Sequence, residues 1–128
     1  MNATDRLVLT ALLDIPSVSP GDDITTIVQT ALDRTNIVLE PGDVIVITHK
    51  IVSKAEDRYV DLDEIIPSEY AHRLADEVEK DPRLIEVILS ESTEVVRKSR
   101  GILVAEHHLG FVVANAGVDS SNIDHIEG

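Results

Sequence analysis

The stretch that decides the fold is ILVAEHHLGFVVA, residues 102–114. Two apolar runs, 102–106 and 111–114, lie on either side of a short segment from His107 to Gly110. Apolar runs separated by a few residues that include glycine are typical of a β-hairpin. The stretch therefore predicts two antiparallel strands near the carboxy-terminal end of the sequence.

Helical spacing of apolar residues appears three times before this hairpin. An aspartate at position 22 or 23 can cap a helix whose apolar face runs from Ile24 to Leu32. Ser68 can cap a second helix, and Asp81 followed by Pro82 is typical of the start of a third. The sequence thus predicts one helix in the first third of the chain and two in the middle.

Several apolar runs predict further strands. Residues 7–12 and 58–62 can be strands, residues 95–96 can begin an extended segment, and VIVIT, residues 44–48, is typical of a strand buried on both faces. The order is then strand, helix, strand, helix, helix, hairpin. We expect a single α+β domain over residues 1–128, with a mixed sheet, flanking helices and a carboxy-terminal hairpin.

Composition and charge narrow the function. The chain has no cysteine, which excludes disulfides and thiolate metal sites, and it has no apolar run of membrane-spanning length. No secretory signal pattern is present, so we expect a cytoplasmic protein. The net charge of −13 opposes binding to nucleic acid or to an anionic membrane surface. An anionic ligand would need local cations or a metal.

Four polar side chains are candidates for such a site. Lys50 and Lys54 follow the predicted strand 44–48 and are suited to phosphate, although lysines there can equally be solvated surface residues. Asp119, on a loop of small residues, can hold Mg²⁺ or Mn²⁺, and Asn122 can hydrogen-bond a ligand. Both residue types are also common in turns. Residue type and spacing alone favour the simpler interpretations, in which the lysines are solvated surface residues and the Asp and Asn form a turn.

Four segments together resemble a known family. PGDD at 20–23, GDVIVITHKIVSKAEDR at 42–58, DPRLIEVILSESTEVVR at 81–97 and GFVVANAGVDSSN at 110–122 follow one another in the family's order. The sequence resembles the coenzyme F-420-0:L-glutamate ligases, the gamma-glutamyl ligases of deazaflavin cofactor synthesis. The resemblance implies that GTP phosphorylates the terminal carboxylate of the F-420 precursor. The amine of L-glutamate then displaces phosphate, leaving an amide.

The resemblance also implies roles for particular residues. The position of Asp119 binds the divalent metal, Mg²⁺ or Mn²⁺, with K⁺ as a further candidate cation. It assigns no catalytic residue, but it implies a homodimer with GTP, L-glutamate and the deazaflavin precursor as partners. The positions implied to bind GTP are Ile15, Pro16, Ser17, Val18, His49, Lys50, Lys54 and Asn122.

The chain departs from the family pattern in several places. Members usually have Gly where this chain has Asp14, Ser or Thr at His49, and often Gly at Asp57. They are about twice as long, and the resemblance implies further metal ligands, including an Asp-Thr pair, beyond the position of Gly128. We therefore expect the 128-residue chain to be inactive alone. The alternatives are a non-catalytic nucleotide-binding or oligomerising remnant, and a paralogous ligase with another carboxylate substrate.

Overall fold

The computed structural model describes residues 6–119. The chain divides into two compact units, one up to Tyr59 and the other from Val60 onward. Each unit has its own set of helices and turns. The single-domain organisation expected for residues 1–128 stays a prediction.

The first unit contains two helices, α1 (Ile24–Thr35) and α2 (His49–Ala55). The carboxylate of Asp23 accepts the backbone N–H of Thr25 and so caps α1, as predicted. The proline-rich loop before α1 is joined to α2 by a backbone hydrogen bond of 2.9 Å, from the Gly21 N–H to the Ala55 carbonyl. This bond places the loop beside the helix that carries both candidate lysines.

The strands predicted in the first unit are wrong. Residues 7–12 and 44–48 have no strand hydrogen bonds, and Val44 and Val46 are 82% and 85% exposed rather than buried. A β-branched run favours extended backbone, but a strand also needs a neighbour to complete its ladder. Within residues 6–119, neither segment pairs with another strand.

The second unit contains two helices and a three-stranded antiparallel sheet. The elements are α3 (Glu69–Val78), α4 (Pro82–Ser90), β1 (Ser92–Ser99), β2 (Ile102–His107) and β3 (Val112–Ala114). The strand order is β1-β2-β3, and Ala105 on the central strand pairs with Val95 on one side and Val113 on the other. The predicted hairpin is confirmed as β2 and β3.

The helix starts predicted in the second unit are confirmed, but the strand predicted before them is wrong. Ser68 caps α3, Asp81 caps α4, and Pro82 is the first residue of α4. The strand predicted at 58–62 is wrong, because Leu62 begins a 3₁₀ turn, Leu62–Glu64, which the Asp61 carboxylate caps by accepting the Asp63 N–H. An aspartate that caps a turn competes with a strand ladder for the same backbone.

The core of the second unit lies between the two helices and the central strand. Its largest fully buried side chains are aliphatic, as the scarcity of aromatic residues indicates: Leu74, Val78, Ile85, Ile88 and Leu103. Two helices covering one face of an antiparallel sheet make an α+β fold, which confirms the predicted class. No helix among residues 6–119 is long and apolar enough to span a bilayer.

Candidate functional site

The loop that precedes α1 carries the first group of candidate residues. Val18 is 8% exposed, Ile15 is half-buried, and Pro16 and Ser17 are exposed. The loop closes on itself through the carboxylate of Asp22, which accepts the N–H of Ser19 at 2.8 Å. The exposed side chains of Pro16 and Ser17 are accessible to a ligand.

A small open pocket of about 170 Å³ lies between this loop and α1. The loop contributes the side chains of Asp14 and Pro16. The helix contributes the residues one and two turns apart along one side: Thr26, Ile27, Thr30, Ala31 and Arg34. Whole-ligand pockets usually measure ~300–1,000 Å³, so this pocket matches only part of a nucleotide-sized ligand.

The two candidate lysines lie on a helix that the sequence analysis did not predict. Lys50 and Lys54 are both half-buried on α2, four residues apart, and so they share one face of that helix. His49 is the first residue of α2 and is exposed. Like charges at this spacing repel each other, and a bound anion would relieve that repulsion. The structure therefore places both lysines on one side of α2.

The helix was missed because its apolar residues are β-branched. Ile51 and Val52 follow the run 44–48 after only two polar residues, so β-branched residues continue into the helix. Thr48 was the available sign of a helix start: its backbone is extended, as at an N-cap, although its side chain makes no capping hydrogen bond.

Two of the departures from the family pattern have a shared backbone conformation. Asp14 and Asp57 have φ angles of 56° and 54°, in the left-handed region that glycine adopts without strain. Asp57 follows α2: its N–H donates to the Lys54 carbonyl, and the Arg58 N–H donates to the Ser53 carbonyl. This is the Schellman arrangement, whose left-handed position is usually glycine. The glycine that the resemblance implies at these two positions is thus the residue that this backbone conformation favours.

The segment before Asp119 is a left-handed turn. Asn115, Ala116 and Gly117 have φ angles of 52°, 51° and 80°, and the Val118 N–H closes the turn on the Asn115 carbonyl at 2.9 Å. Ala116 is 3% exposed and belongs to the core of the second unit. Strained backbone of this kind persists where the surroundings hold it, and it is concentrated at ligand sites. The turn fixes where the chain leaves the core just before Asp119.

Asp119 is exposed on a loop, as predicted, and Asn122 lies outside the described residues. No group of three or more His, Asp or Glu side chains that could hold a metal occurs within residues 6–119. Mg²⁺ requires about six oxygen ligands, and Asp119 is a single carboxylate. The residues of this part of the chain do not fit a complete metal centre.

Within the first unit, the structure thus brings the loop 14–23 next to α2 and its lysines. Asp119 belongs to the second unit, and its role in the same site as the lysines stays a prediction. Arg34 was missed by sequence reasoning. It is the one basic residue in the last turn of α1, which by itself is an ordinary feature of a helix end.

The resolved pKa shifts lie at structural contacts. The Thr26 hydroxyl and the Thr25 N–H hold the pKa of Asp23 below its usual range, because both donate hydrogen bonds to the charged carboxylate. The Arg83 guanidinium lowers the pKa of Asp81 in the same way, at 2.8 Å. These carboxylates are engaged in holding the starts of helices and are not candidates for acid–base chemistry.

Comparison with known proteins gives a consistent result. The family model described as F420-0:Gamma-glutamyl ligase matches residues 12–126. A coenzyme F420:L-glutamate ligase of Methanothermobacter thermautotrophicus is 46% identical over 110 residues, 86% of this chain and 44% of that protein. The enzyme of the same name from Methanopyrus kandleri is 46% identical over 105 residues, 82% of this chain and 40% of its own length.

A more distant relative extends the match. The coenzyme F420:L-glutamate ligase of Halorubrum lacusprofundi is 36% identical over 121 residues, 90% of this chain and 46% of that protein. The chain therefore spans less than half the length of these relatives. With the family model covering most of its residues, the chain belongs to the F420-0:gamma-glutamyl ligase family.

Proposed function

We propose that this chain is the amino-terminal part of a GTP-dependent ligase that adds L-glutamate to the carboxylate of a coenzyme F420 precursor. The observation that carries the proposal is the match over residues 12–126 to a family whose relatives are named coenzyme F420:L-glutamate ligases. The carboxylate oxygen attacks the γ-phosphorus of GTP, and GDP leaves. The glutamate nitrogen then attacks the acyl carbon, phosphate leaves, and the amide remains.

Charge explains why such a reaction needs the cations of α2. GTP, the precursor and glutamate are all anions, whereas the chain carries 24 acidic and 11 basic side chains. Lys50 and Lys54, on one helical face, supply local positive charge for the phosphates. Residues 15–18, His49 and Asn122 complete the proposed GTP contacts, and Asp119 supplies one ligand to Mg²⁺ or Mn²⁺. In this proposal the working form is a homodimer.

The length of the match supports a second candidate. Because the chain spans only 44% of the Methanothermobacter protein, it could bind nucleotide or self-associate without catalysing the reaction by itself. A paralogous ligase with a different carboxylate substrate is the third. GTP turnover with the precursor and with other acids distinguishes all three.

The test compares the 128-residue chain with a chain extended to the full length of the relatives. We expect GTP turnover, dependent on precursor and glutamate, only from the extended chain. Asp119→Asn in that chain should lower turnover by about 100-fold or more, because one electrostatic group at the reacting centre typically contributes that much. Asp76→Asn, on the exposed side of α3, is the matched control and should leave turnover unchanged.

Lys54→Ala should both raise KM for GTP and lower kcat, because a phosphate contact acts in the ground state and in the transition state. Lys80→Ala removes the same charge from the second unit and should do neither. Turnover by the 128-residue chain alone would contradict the expected inactivity. Equal effects of the paired variants would contradict the assigned roles.

A further inference from the structure

The turn between β2 and β3 is closed by the side chain of its first residue, His107. Two backbone hydrogen bonds frame the turn, from the His107 N–H to the Phe111 carbonyl at 2.9 Å and from the Gly110 N–H to the His107 carbonyl at 2.8 Å. Inside this frame, the Leu109 N–H donates to Nδ1 of the His107 ring at 3.0 Å. Nδ1 therefore accepts a hydrogen bond and carries no proton.

The other ring nitrogen of His107 faces a carboxylate. Its Nε2 lies 3.3 Å from Oε2 of Glu91, the residue that follows α4, and the two side chains are only 15% and 28% exposed. A charged carboxylate only accepts hydrogen bonds, so the proton of the neutral ring lies on Nε2. Together the two contacts select one tautomer, with Nε2–H toward the end of α4 and the Nδ1 lone pair toward the turn.

A second proton on His107 exchanges one contact for the other. A proton on Nδ1 points at the Leu109 N–H, and two donors cannot bond to each other, so that hydrogen bond is lost. The charged ring gains the attraction of the Glu91 carboxylate in return. The Phe111 ring, stacked on the His107 ring at 4.6 Å between centroids, also favours the charged form, because aromatic faces attract cations.

The neighbouring histidine is held differently. The His108 ring lies 6.1 Å from the His107 ring, and its Nε2 is 2.8 Å from the Ser90 carbonyl. A carbonyl only accepts, so Nε2 of His108 is already a donor, and a second proton on this ring breaks none of the hydrogen bonds of the turn. A charged His108 opposes the charging of His107 by repulsion between like charges.

The strands place no further charge on this side of the sheet. Ser92 is the β1 residue paired with His107, and it is uncharged. Glu94 and Glu106 are paired with each other, and side chains alternate along a strand, so both lie on the face opposite His107. Within residues 6–119, Glu91 and His108 are thus the titratable groups that the structure places against the His107 ring.

We infer that His107 is a pH-sensitive switch at the tip of the β2–β3 hairpin. In its neutral form the ring holds the Leu109 N–H, and in its charged form it binds Glu91 and releases that N–H to solvent. Histidine side chains take up this proton between about pH 8 and pH 5. The tip is therefore closed in mildly alkaline solution and released in mildly acidic solution, while the two backbone hydrogen bonds of the turn are kept.

Nuclear magnetic resonance of the isotope-labelled 128-residue chain, titrated from about pH 8 to about pH 5, tests the switch. At the alkaline end, the ring nitrogens of His107 should show the Nε2–H tautomer. On acidification, the Leu109 amide proton should shift upfield, as on loss of a hydrogen bond, with the same midpoint as the His107 ring. An Nδ1–H tautomer, or a Leu109 signal that does not follow the ring, would overturn the inference.

Two substitutions at His107 distinguish its ring nitrogens. The amide oxygen of asparagine takes the place of Nδ1, so His107→Asn should keep the Leu109 hydrogen bond and abolish its pH dependence. The glutamine amide reaches the place of Nε2 instead, so His107→Gln should leave the Leu109 N–H released at every pH. His108→Gln keeps a donor toward the Ser90 carbonyl and should leave the response unchanged. A response that persists in both His107 variants, or that His108→Gln abolishes, would assign the switch to another group.

Glu91→Gln tests the contact that the charged ring gains. The backbone carbonyl of residue 91, which accepts the His108 N–H at 3.1 Å, is unaffected by this change. Because glutamine carries no charge to attract the imidazolium, the midpoint of the Leu109 response should move to lower pH. A midpoint that stays in place or moves to higher pH would contradict the exchange of contacts between Leu109 and Glu91.

Discussion

The left-handed residues differ in how easily they tolerate their conformation. Asp14, Asn36, Asp57 and Asn115 have short polar side chains that can bond to the local backbone, which makes positive φ angles less costly for them. Ala116 has no such group, and left-handed backbone costs an ordinary residue about 1–2 kcal/mol. Its methyl group is almost completely buried in the core of the second unit, and that packing offsets the strain.

We expect Asp57→Gly to raise the free energy of unfolding by up to about 1 kcal/mol. Glycine removes the left-handed strain at the end of α2, and this gain exceeds the ~0.5–1 kcal/mol that glycine costs through its greater freedom in the unfolded chain. The Schellman hydrogen bonds use backbone atoms only and are retained. Urea unfolding followed by circular dichroism measures the change.

The control for this prediction is Asp33→Gly in the right-handed interior of α1. The same substitution there should lower the free energy of unfolding by about 1 kcal/mol, because no strain is relieved. A decrease of similar size at both positions would show that Asp57 is not strained.

At the residue scale, the sequence predicted which side chains are suited to a ligand better than it predicted where the fold places them. Asp119 is exposed on a loop, as the run of small residues indicated, but nothing in that run indicated three successive left-handed residues before it. Arg34 could not be singled out, because its relation to Asp14 depends on how a loop and a helix pack. No local sequence pattern predicts how a loop and a helix pack against each other.

At the scale of elements, starts of helices were predictable and strand pairing in the first unit was not. The caps at Asp23, Ser68 and Asp81 use side chains two or three residues from the groups they satisfy, so the sequence displays both partners. The run 44–48 displays only a preference for extended backbone. Whether such a run becomes a strand depends on a partner that can lie anywhere in the chain.

A polar clamp links the start of α3 to the middle of α4. Ser68 accepts the N–H of Ala71, while its own N–H and hydroxyl donate to the Glu86 carboxylate at 2.8 and 2.6 Å. These two hydrogen bonds hold the pKa of Glu86 below its usual range, because they favour the charged form. The cap of one helix is thus completed by a side chain from the next.

The clamp should make the free energy of unfolding depend on pH. The folded pKa of Glu86 lies below the unfolded value, so its contribution to the free energy of unfolding is present above the unfolded pKa and is lost as the pH falls through the lowered folded pKa. Glu86→Gln should cost about 1 kcal/mol at pH 7 and progressively less in more acidic solution. Chemical unfolding at a series of pH values from neutral downward measures the difference.

Glu69→Gln is the comparison for the clamp. The Glu69 side chain is 98% exposed and its nearest cation, on Arg73, is 3.9 Å away, so the exchange should have little effect at any pH. A cost of Glu86→Gln that stays constant with pH would contradict the role of its charged form.

For the whole molecule, the net charge opposes self-association, whereas the exposed apolar surface favours it. The net charge of −13 keeps copies of the chain apart, whereas the exposed runs 7–12 and 44–48 offer unpaired backbone groups. We expect self-association to a dimer that strengthens as added salt screens the repulsion. Static light scattering over a range of protein and salt concentrations measures the molar mass.

Val46→Glu should weaken this association, because it adds charge to an exposed apolar run. Ile66→Glu makes the same kind of change at a residue that is 90% exposed and outside both runs, and it should have no effect. A molar mass that stays at 14.0 kDa under all conditions, or equal effects of the two substitutions, would rule out association through these segments.

The second unit is built from elements that follow one another directly along the chain. The helix α3 packs on α4, β1 pairs with β2, and β2 pairs with β3. Contacts between near neighbours require only short loops to close, and proteins rich in such contacts fold in microseconds to milliseconds. In the first unit, the apolar runs 7–12 and 44–48 pair with no other strand of residues 6–119. During synthesis on the ribosome, the part of the chain made later is therefore the part that is ready to fold by itself.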